Sequence, residues 1–226
     1  MHKNKIAIII PVLNEAPSIG RVILAIPRLF RNTVIVVNSG STDETRSTAL
    51  KFGAILINNR IPTYDHACYA GAKSAGDADI LVFLHGGGDD DPRDIPSLVE
   101  PLTDGRADMV MGSRTVGRNR ENLLWHQFMG TKCLISLINF LFLTDFTDIG
   151  PFRAITASAY QKLHMQPVGF SWTTQMLVKS LALKLKVIEV RVACLKRIGK
   201  PKISGSIKYS LWAFKDMLWS FRFVLH

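Results

Sequence analysis

The sequence predicts an α/β fold with a mostly parallel central sheet and helices on both faces, and three observations carry that expectation. Through the first hundred residues, unbroken apolar runs rich in β-branched residues alternate with amphipathic segments of helical length. Each run ends in a polar loop, most of them bearing glycine. Of the 226 residues, 47% are apolar and 20% are charged, which supports a sizeable core and excludes a disordered chain.

Taken in order, the strand runs are KIAIIIPV (5–12), TVIVVN (33–38), AILINN (54–59), DILVFL (79–84) and ADMVMGSR (107–114). Apolar on both faces, they read as strands covered on both sides. Between them, IGRVILAIPRLF, TDETRSTALKFG and YDHACYAGAKSAG have the length and patterning of crossover helices. In sheets of this kind, ligands sit beyond the carboxyl ends of the strands. That rule gathers LNEA (13–16), NSGSTD (38–43) and HGGGDDD (85–91) around one site. Two of these loops also have a purely local reading. In the second, Ser41 or Thr42 would cap a helix with Glu44 in its first turn. In the third, Asp91, Pro92 and Asp94 have the form of a helix start.

Beyond residue 120 the character changes. Residues 121–146 read as a helix rich in Leu, Ile and Phe, and VIEVRVACL (187–195) alternates like an edge strand. A basic loop, KRIGKPKISGS, leads to the closing segment IKYSLWAFKDMLWSFRFVLH. The expected organisation is one domain over 1–206 followed by an amphipathic helix over 207–226 that contacts a membrane, a partner or a second copy.

With 28 Lys and Arg against 18 Asp and Glu, the chain carries +10, favouring anionic partners. No nucleic-acid-binding module is recognisable, so nucleotide phosphates and lipid headgroups are the partner classes retained. Cys68, Cys133 and Cys194 are odd in number and widely spaced, suggesting neither a disulfide framework nor a zinc site and fitting a reducing cytoplasm. The N-terminal apolar run stops at Pro11, against a signal peptide. No run approaches the roughly 18 apolar residues of a spanning helix, the longest being CLISLINFLFLT (133–144).

The landmarks IIIPVLNEA, VIVVNSGSTDET, VFLHGGGDDDP, MVMGSR, TDIGPFRAI, FSWTTQM and RIGKPKISGS resemble, in order and separation, the family 2 glycosyltransferases of GT-A fold. The similarity is greatest to the branch of dolichol-phosphate and polyprenyl-phosphate mannose or glucose synthases, and it covers nearly the whole chain. It implies transfer of a hexose, with inversion, from a UDP- or GDP-sugar to a polyprenyl-phosphate or other membrane-associated acceptor, by a cytoplasmic protein to which a peripheral position at the membrane surface is open.

On this resemblance, Pro11, Leu13, Glu15, Val37, Asn38 and Ser39 fall where the family grips the nucleoside, with His85, Gly86, Gly87 and Arg114 around the nucleotide-sugar. The family's D-x-D, which holds a divalent cation, corresponds to His85 and Gly87, leaving Asp89 as the nearby metal-ligating carboxylate. Dependence on Mg or Mn is therefore expected to be weak or absent. Arg153, Arg197, Lys200 and Lys202 match phosphate-clamping positions. Gln175 stands where the branch carries a glutamate, Asp148 is the acid remaining in the acceptor half, and these two with Asp89 are the candidate catalytic residues. Asp148 is also a candidate to orient Arg153. Thr63-Tyr64-Asp65-His66 replaces a glycine-containing loop with bulkier residues. A non-catalytic binding module, or the subunit of an active homologue, is the alternative.

Overall fold

The computed structural model describes residues 4–31, 33–122, 125–168 and 171–198. The helix expected over 207–226, and the phosphate contacts assigned to Lys200 and Lys202, lie outside them.

Seven strands form one sheet: β1 (Ile6–Val12), β2 (Val34–Asn38), β3 (Ile55–Asn58), β4 (Ile80–Phe83), β5 (Met109–Ser113), β6 (Arg153–Thr156) and β7 (Val187–Arg191), in the order β3-β2-β1-β4-β6-β5-β7. All neighbours run parallel except β6, which is antiparallel to both β4 and β5. β7 closes one edge, where the alternating VIEVR pattern puts it. β6 is the strand the sequence pattern does not announce. RAIT is four residues long, too short for a periodic signal, and it is held by pairing on both sides.

Successive side chains leave a strand on opposite faces, so each run builds two cores. Ile9, Val37, Phe83 and Met111 pack on one face, with Cys68 from α3 (Tyr64–Lys73), Ile138 from α5 (Trp125–Phe142) and Trp172 and Met176 from α7 (Trp172–Ala182). Ile8, Ile10, Val36 and Val82 pack on the other. There they meet Ile19 and Ile23 from α1 (Ala16–Ala25), Ala49 from α2 (Thr45–Lys51) and Leu98 from α4 (Ile95–Thr103). A short helix, α6 (Ala157–Lys162), follows β6. Burying one such Ile, Val or Phe contributes about 1.5–3 kcal/mol, which explains why both faces of the parallel strands are apolar. Gly71 of α3 lies against Ile9 and Val37 so closely that an added Cβ would collide with both, letting the helix settle onto the sheet.

α5 departs from this economy. It buries Leu134, Ile135 and Ile138, yet Phe128, Met129, Leu137, Phe140 and Leu141, with Leu143 just beyond its end, are between 37% and 92% exposed. Among the described residues, no helix is long and apolar enough to cross a membrane.

Candidate functional site

The loops leaving β1, β2 and β4 meet at the carboxyl edge of the sheet, because these strands are parallel neighbours in register, Val12 beside Asn38 and Ile9 beside Phe83. Polar side chains stitch the first two loops together. Asn14 adopts φ 50°, a left-handed conformation asparagine tolerates. Its N–H donates to Ser41 Oγ at 2.9 Å, and its Oδ1 accepts from the Thr42 N–H at 2.8 Å. The Glu15 N–H donates to Thr45 Oγ1 at 2.8 Å, leaving the buried Glu15 carboxylate inside the cluster. Asn38 Oδ1 accepts from the Ser41 N–H at 3.0 Å, and its amide donates to Asn58 Oδ1 at 3.3 Å. The start of α2 corrects the expected cap. Asp43, not Ser41 or Thr42, accepts from the Thr45 N–H at 3.0 Å, while the Ser41 hydroxyl serves Asn14.

The third loop folds back on itself. The His85 N–H donates to Asp90 Oδ2 at 2.8 Å, and Ser18 of α1 donates to the Gly86 carbonyl at 2.7 Å. Asp91 accepts from the Arg93 N–H at 3.1 Å with Pro92 following it, so this aspartate is committed to starting the next turn. The segment after β7 then crosses the loop: the Leu195 N–H donates to the Asp89 carbonyl at 2.8 Å and the Ile198 N–H to the Gly87 carbonyl at 3.1 Å. This strap carries Arg197 into the site. Its guanidinium donates to Asp89 Oδ1 at 3.1 Å and, in a very short contact, to Glu15 Oε1. Asp89 Oδ2 meets His85 Nδ1 at 3.2 Å.

The ionic chain Glu15, Arg197, Asp89, His85 sets the local protonation. Burial works against a charged His85, but the charge and hydrogen bond of Asp89, with Asp90 behind it, outweigh burial and raise its pKa. Burial likewise opposes ionised Asp89, and His85 and Arg197 overcome it, holding the carboxyl below its usual range. Asp90 is pushed up to about 6, chiefly by burial. Tyr64, from the first turn of α3, stands edge-on to His85 with ring centroids 5.2 Å apart. Beside it the buried Asp65 accepts at Oδ2 from the Ser171 N–H and hydroxyl, at 3.1 and 3.3 Å, and burial lifts its pKa to about 8.

The acceptor half is organised differently from the sequence expectation. Asp148, fully buried, accepts from Arg114 Nε at 2.9 Å and Nη2 at 3.1 Å, a bidentate pair. Burial opposes its charge, yet Arg114 keeps its pKa below the ordinary value. Asp148 therefore orients Arg114 rather than Arg153. Arg153 is itself buried, with Nη1 donating to the Thr173 carbonyl at 2.7 Å and Nε to the Gly150 carbonyl at 3.1 Å. Burial brings it down to about 10. An inward arginine whose donors serve carbonyls braces the fold. Gln175 is also buried, exchanging hydrogen bonds with the Gln166 backbone at 2.9 and 3.0 Å, so its amide is engaged within the fold. Pro11 and Leu13 line the lip of the first loop at intermediate exposure, whereas Val37 and Ser39 are buried.

Three participants escaped sequence reasoning. Ser18 sits on a helix with no motif around it; Asp90 was hidden in an aspartate run; Glu189 looked like the polar half of an alternating strand. Glu189 accepts from the Thr147 and Asp148 N–H groups at 3.0 and 2.9 Å, pinning the loop that delivers Asp148. A cleft of about 510 Å³ lined by Val116, Phe146, Thr147, Glu189 and Arg191 lies along β7 and shares none of the loops after β1, β2 and β4.

Residues 7–178 match the family described as glycosyl transferase family 2. The chain is 31% identical over 219 residues to an uncharacterized glycosyltransferase of Mycobacterium tuberculosis, covering 96% of this chain and 97% of that one. It is 25% identical over 214 residues to the low-salt glycan biosynthesis hexosyltransferase Agl6 of Haloferax volcanii, covering 88% and 50%. Its fold is similar to that of Mycobacterium tuberculosis glucosyl-3-phosphoglycerate synthase in complex with Mn2+, UDP-glucose and phosphoglyceric acid, with TM-score 0.78, 20% identity and coverage of 96% and 79%. The sheet and its helices thus have the GT-A architecture.

Proposed function

The chain belongs to glycosyl transferase family 2 and is a nucleotide-sugar-dependent glycosyltransferase, and on that premise we propose that it transfers a hexose with inversion to a membrane-associated polyprenyl phosphate. The observation carrying this reading is the state of the carboxylates around the three strand ends and of Asp148 and Gln175 in the acceptor half. Glu15 and Asp89 are paired with Arg197, and Asp148 is locked to Arg114. Asp90 is buried beneath the His85 N–H, and Gln175 cannot take a proton.

An acceptor hydroxyl needs a base at the reacting oxygen; a phosphate monoester, with a second pKa of about 6, arrives with its oxygen already ionised. Its lone pair forms the bond to the anomeric carbon as the bond from that carbon to the diphosphate oxygen breaks. The electron pair leaves with the nucleoside diphosphate, and no proton has to be removed. Asn38 and Ser39 would meet the nucleoside with neutral donors and acceptors, and Arg197 the diphosphate. The apolar face of α5, with Phe140 78% exposed, and Leu143 just beyond it, 92% exposed, offer contact with the acyl region where such an acceptor resides.

The test is a donor and acceptor matrix. UDP-glucose, GDP-mannose and related donors are incubated with the full chain and either polyprenyl phosphate in vesicles or phosphoglyceric acid, the acceptor bound by its structural neighbour. Release of nucleoside diphosphate is expected only with the lipid phosphate. Transfer to phosphoglyceric acid would overturn the acceptor, and no turnover with any pair would overturn the reading.

A further inference from the structure

A divalent ion at a nucleoside diphosphate takes about six oxygen ligands, one or two of them protein carboxylates beside phosphate oxygens and waters. The structural neighbour is described with Mn2+ and UDP-glucose. In this chain three of the carboxylates at these strand ends are already paired, and the fourth, Asp90, is buried with Oδ2 accepting from the His85 N–H. Glu15 Oε1 and Asp89 Oδ1 accept from Arg197, Asp89 Oδ2 faces His85, and Asp91 is held by Arg93. Among the described residues, no group of three His, Cys, Asp or Glu side chains is placed to hold a metal ion. The residues present do not fit the cation.

We infer that the guanidinium of Arg197, seated against Gly87, supplies the positive charge that a divalent cation would otherwise bring to the nucleoside diphosphate. The inference rests on the nucleotide-sugar reading above. Three features independent of that reading point the same way. The first is room: a Cβ built on Gly87 would collide with Cζ and both terminal nitrogens of Arg197, so the guanidinium fills the space a side chain at position 87 would take. The second is anchorage. Backbone bonds from Leu195 and Ile198 to Asp89 and Gly87 fix the strap on both sides of Arg197, and a bridge pairs Asp90 with Cys194. The third is access, since the Arg197 side chain keeps 25% of its surface exposed while paired with Glu15 and Asp89.

Titration calorimetry of the full chain with UDP and GDP, in EDTA and in Mn2+, decides the matter. The expected result is that the nucleotide which binds does so with equal affinity in both conditions. Arg197→Ala should weaken binding in EDTA about 100-fold, the loss of a charge-assisted phosphate contact. Arg197→Lys should stay within about tenfold, because the charge is kept. Gly87→Ala should weaken binding in EDTA without removing any charge, since its methyl group evicts the guanidinium; thermal melts establish that each variant is folded. In Arg197→Ala, Glu15 and Asp89 are freed, and added Mn2+ should recover part of the affinity. Binding by the parent protein that requires Mn2+ would overturn the inference while leaving the nucleotide-sugar reading standing. Absence of binding in both conditions would overturn both.

Discussion

Asp148→Ala is expected to destabilise the protein by about 3–5 kcal/mol, the cost of leaving a buried guanidinium without its counter-charge. Asp148 is fully buried and engages Arg114 through both carboxylate oxygens and the Arg114 N–H, while its own Ile149 N–H closes a fourth bond at 2.7 Å. Arg114 is itself only 14% exposed at the side chain. Exposed ion pairs contribute about 1 kcal/mol or less, so the size of the effect tests whether this pair is desolvated. Urea denaturation of Asp148→Ala, Arg114→Ala and the double variant should give a strongly non-additive cycle, with the double variant less damaged than the sum of the two single losses. Additive losses below about 1 kcal/mol each would show that solvent reaches the pair. Because Asp148 shares its loop with Thr147, which Glu189 of β7 pins, the same variants should loosen the acceptor side of the site.

The second large effect is a pH dependence centred on Asp65. Its folded pKa of about 8 stands far above an unfolded carboxylate near 4, so the folded state binds the proton more tightly. The sign follows directly: stability contributed by the protonated carboxyl is fully present below about pH 4 and is lost progressively as pH rises toward 8. At 1.36 kcal/mol per unit, the loss between pH 4 and pH 7 reaches about 4 kcal/mol for this one group. Asp65→Asn keeps the acceptor for the Ser171 N–H and hydroxyl and cannot ionise, so it should raise stability at pH 7 and flatten the profile. Thermal melts of parent and variant from pH 5 to pH 8 check it. Parallel profiles would mean that Asp65 is solvated or paired with a cation.

Local chemistry made much of the fold readable. Runs such as IAIIIPV and VIVVN are apolar on both faces because helices cover both sides of the sheet, and that pattern survives in one dimension. The convergence of the loops after β1, β2 and β4 was readable too, since parallel strands must end on the same edge. β6 was not readable: four residues following TDIGPF acquire strand geometry from the neighbours on either side. The Asp91 turn was legible from Pro92 and Asp94, whereas the start of α2 was misplaced because several polar residues compete there: Glu44 takes the N-cap position without a side-chain bond, and Asp43 before it accepts from the Thr45 N–H.

The sequence by itself determined the layered sheet, the edge at which its loops collect, and a cationic residue set suited to an anionic ligand. Tertiary structure alone decided which charge meets which. Arg114 and Arg153 both follow short apolar stretches near glycine, yet one is paired with Asp148 and the other is sunk among carbonyls. Arg197 reaches Glu15 across 182 positions of chain. Hydrophobic periodicity is a property of neighbours in sequence. Electrostatic pairing depends on distance and burial in space, where a few ångströms and the exclusion of water change an interaction severalfold.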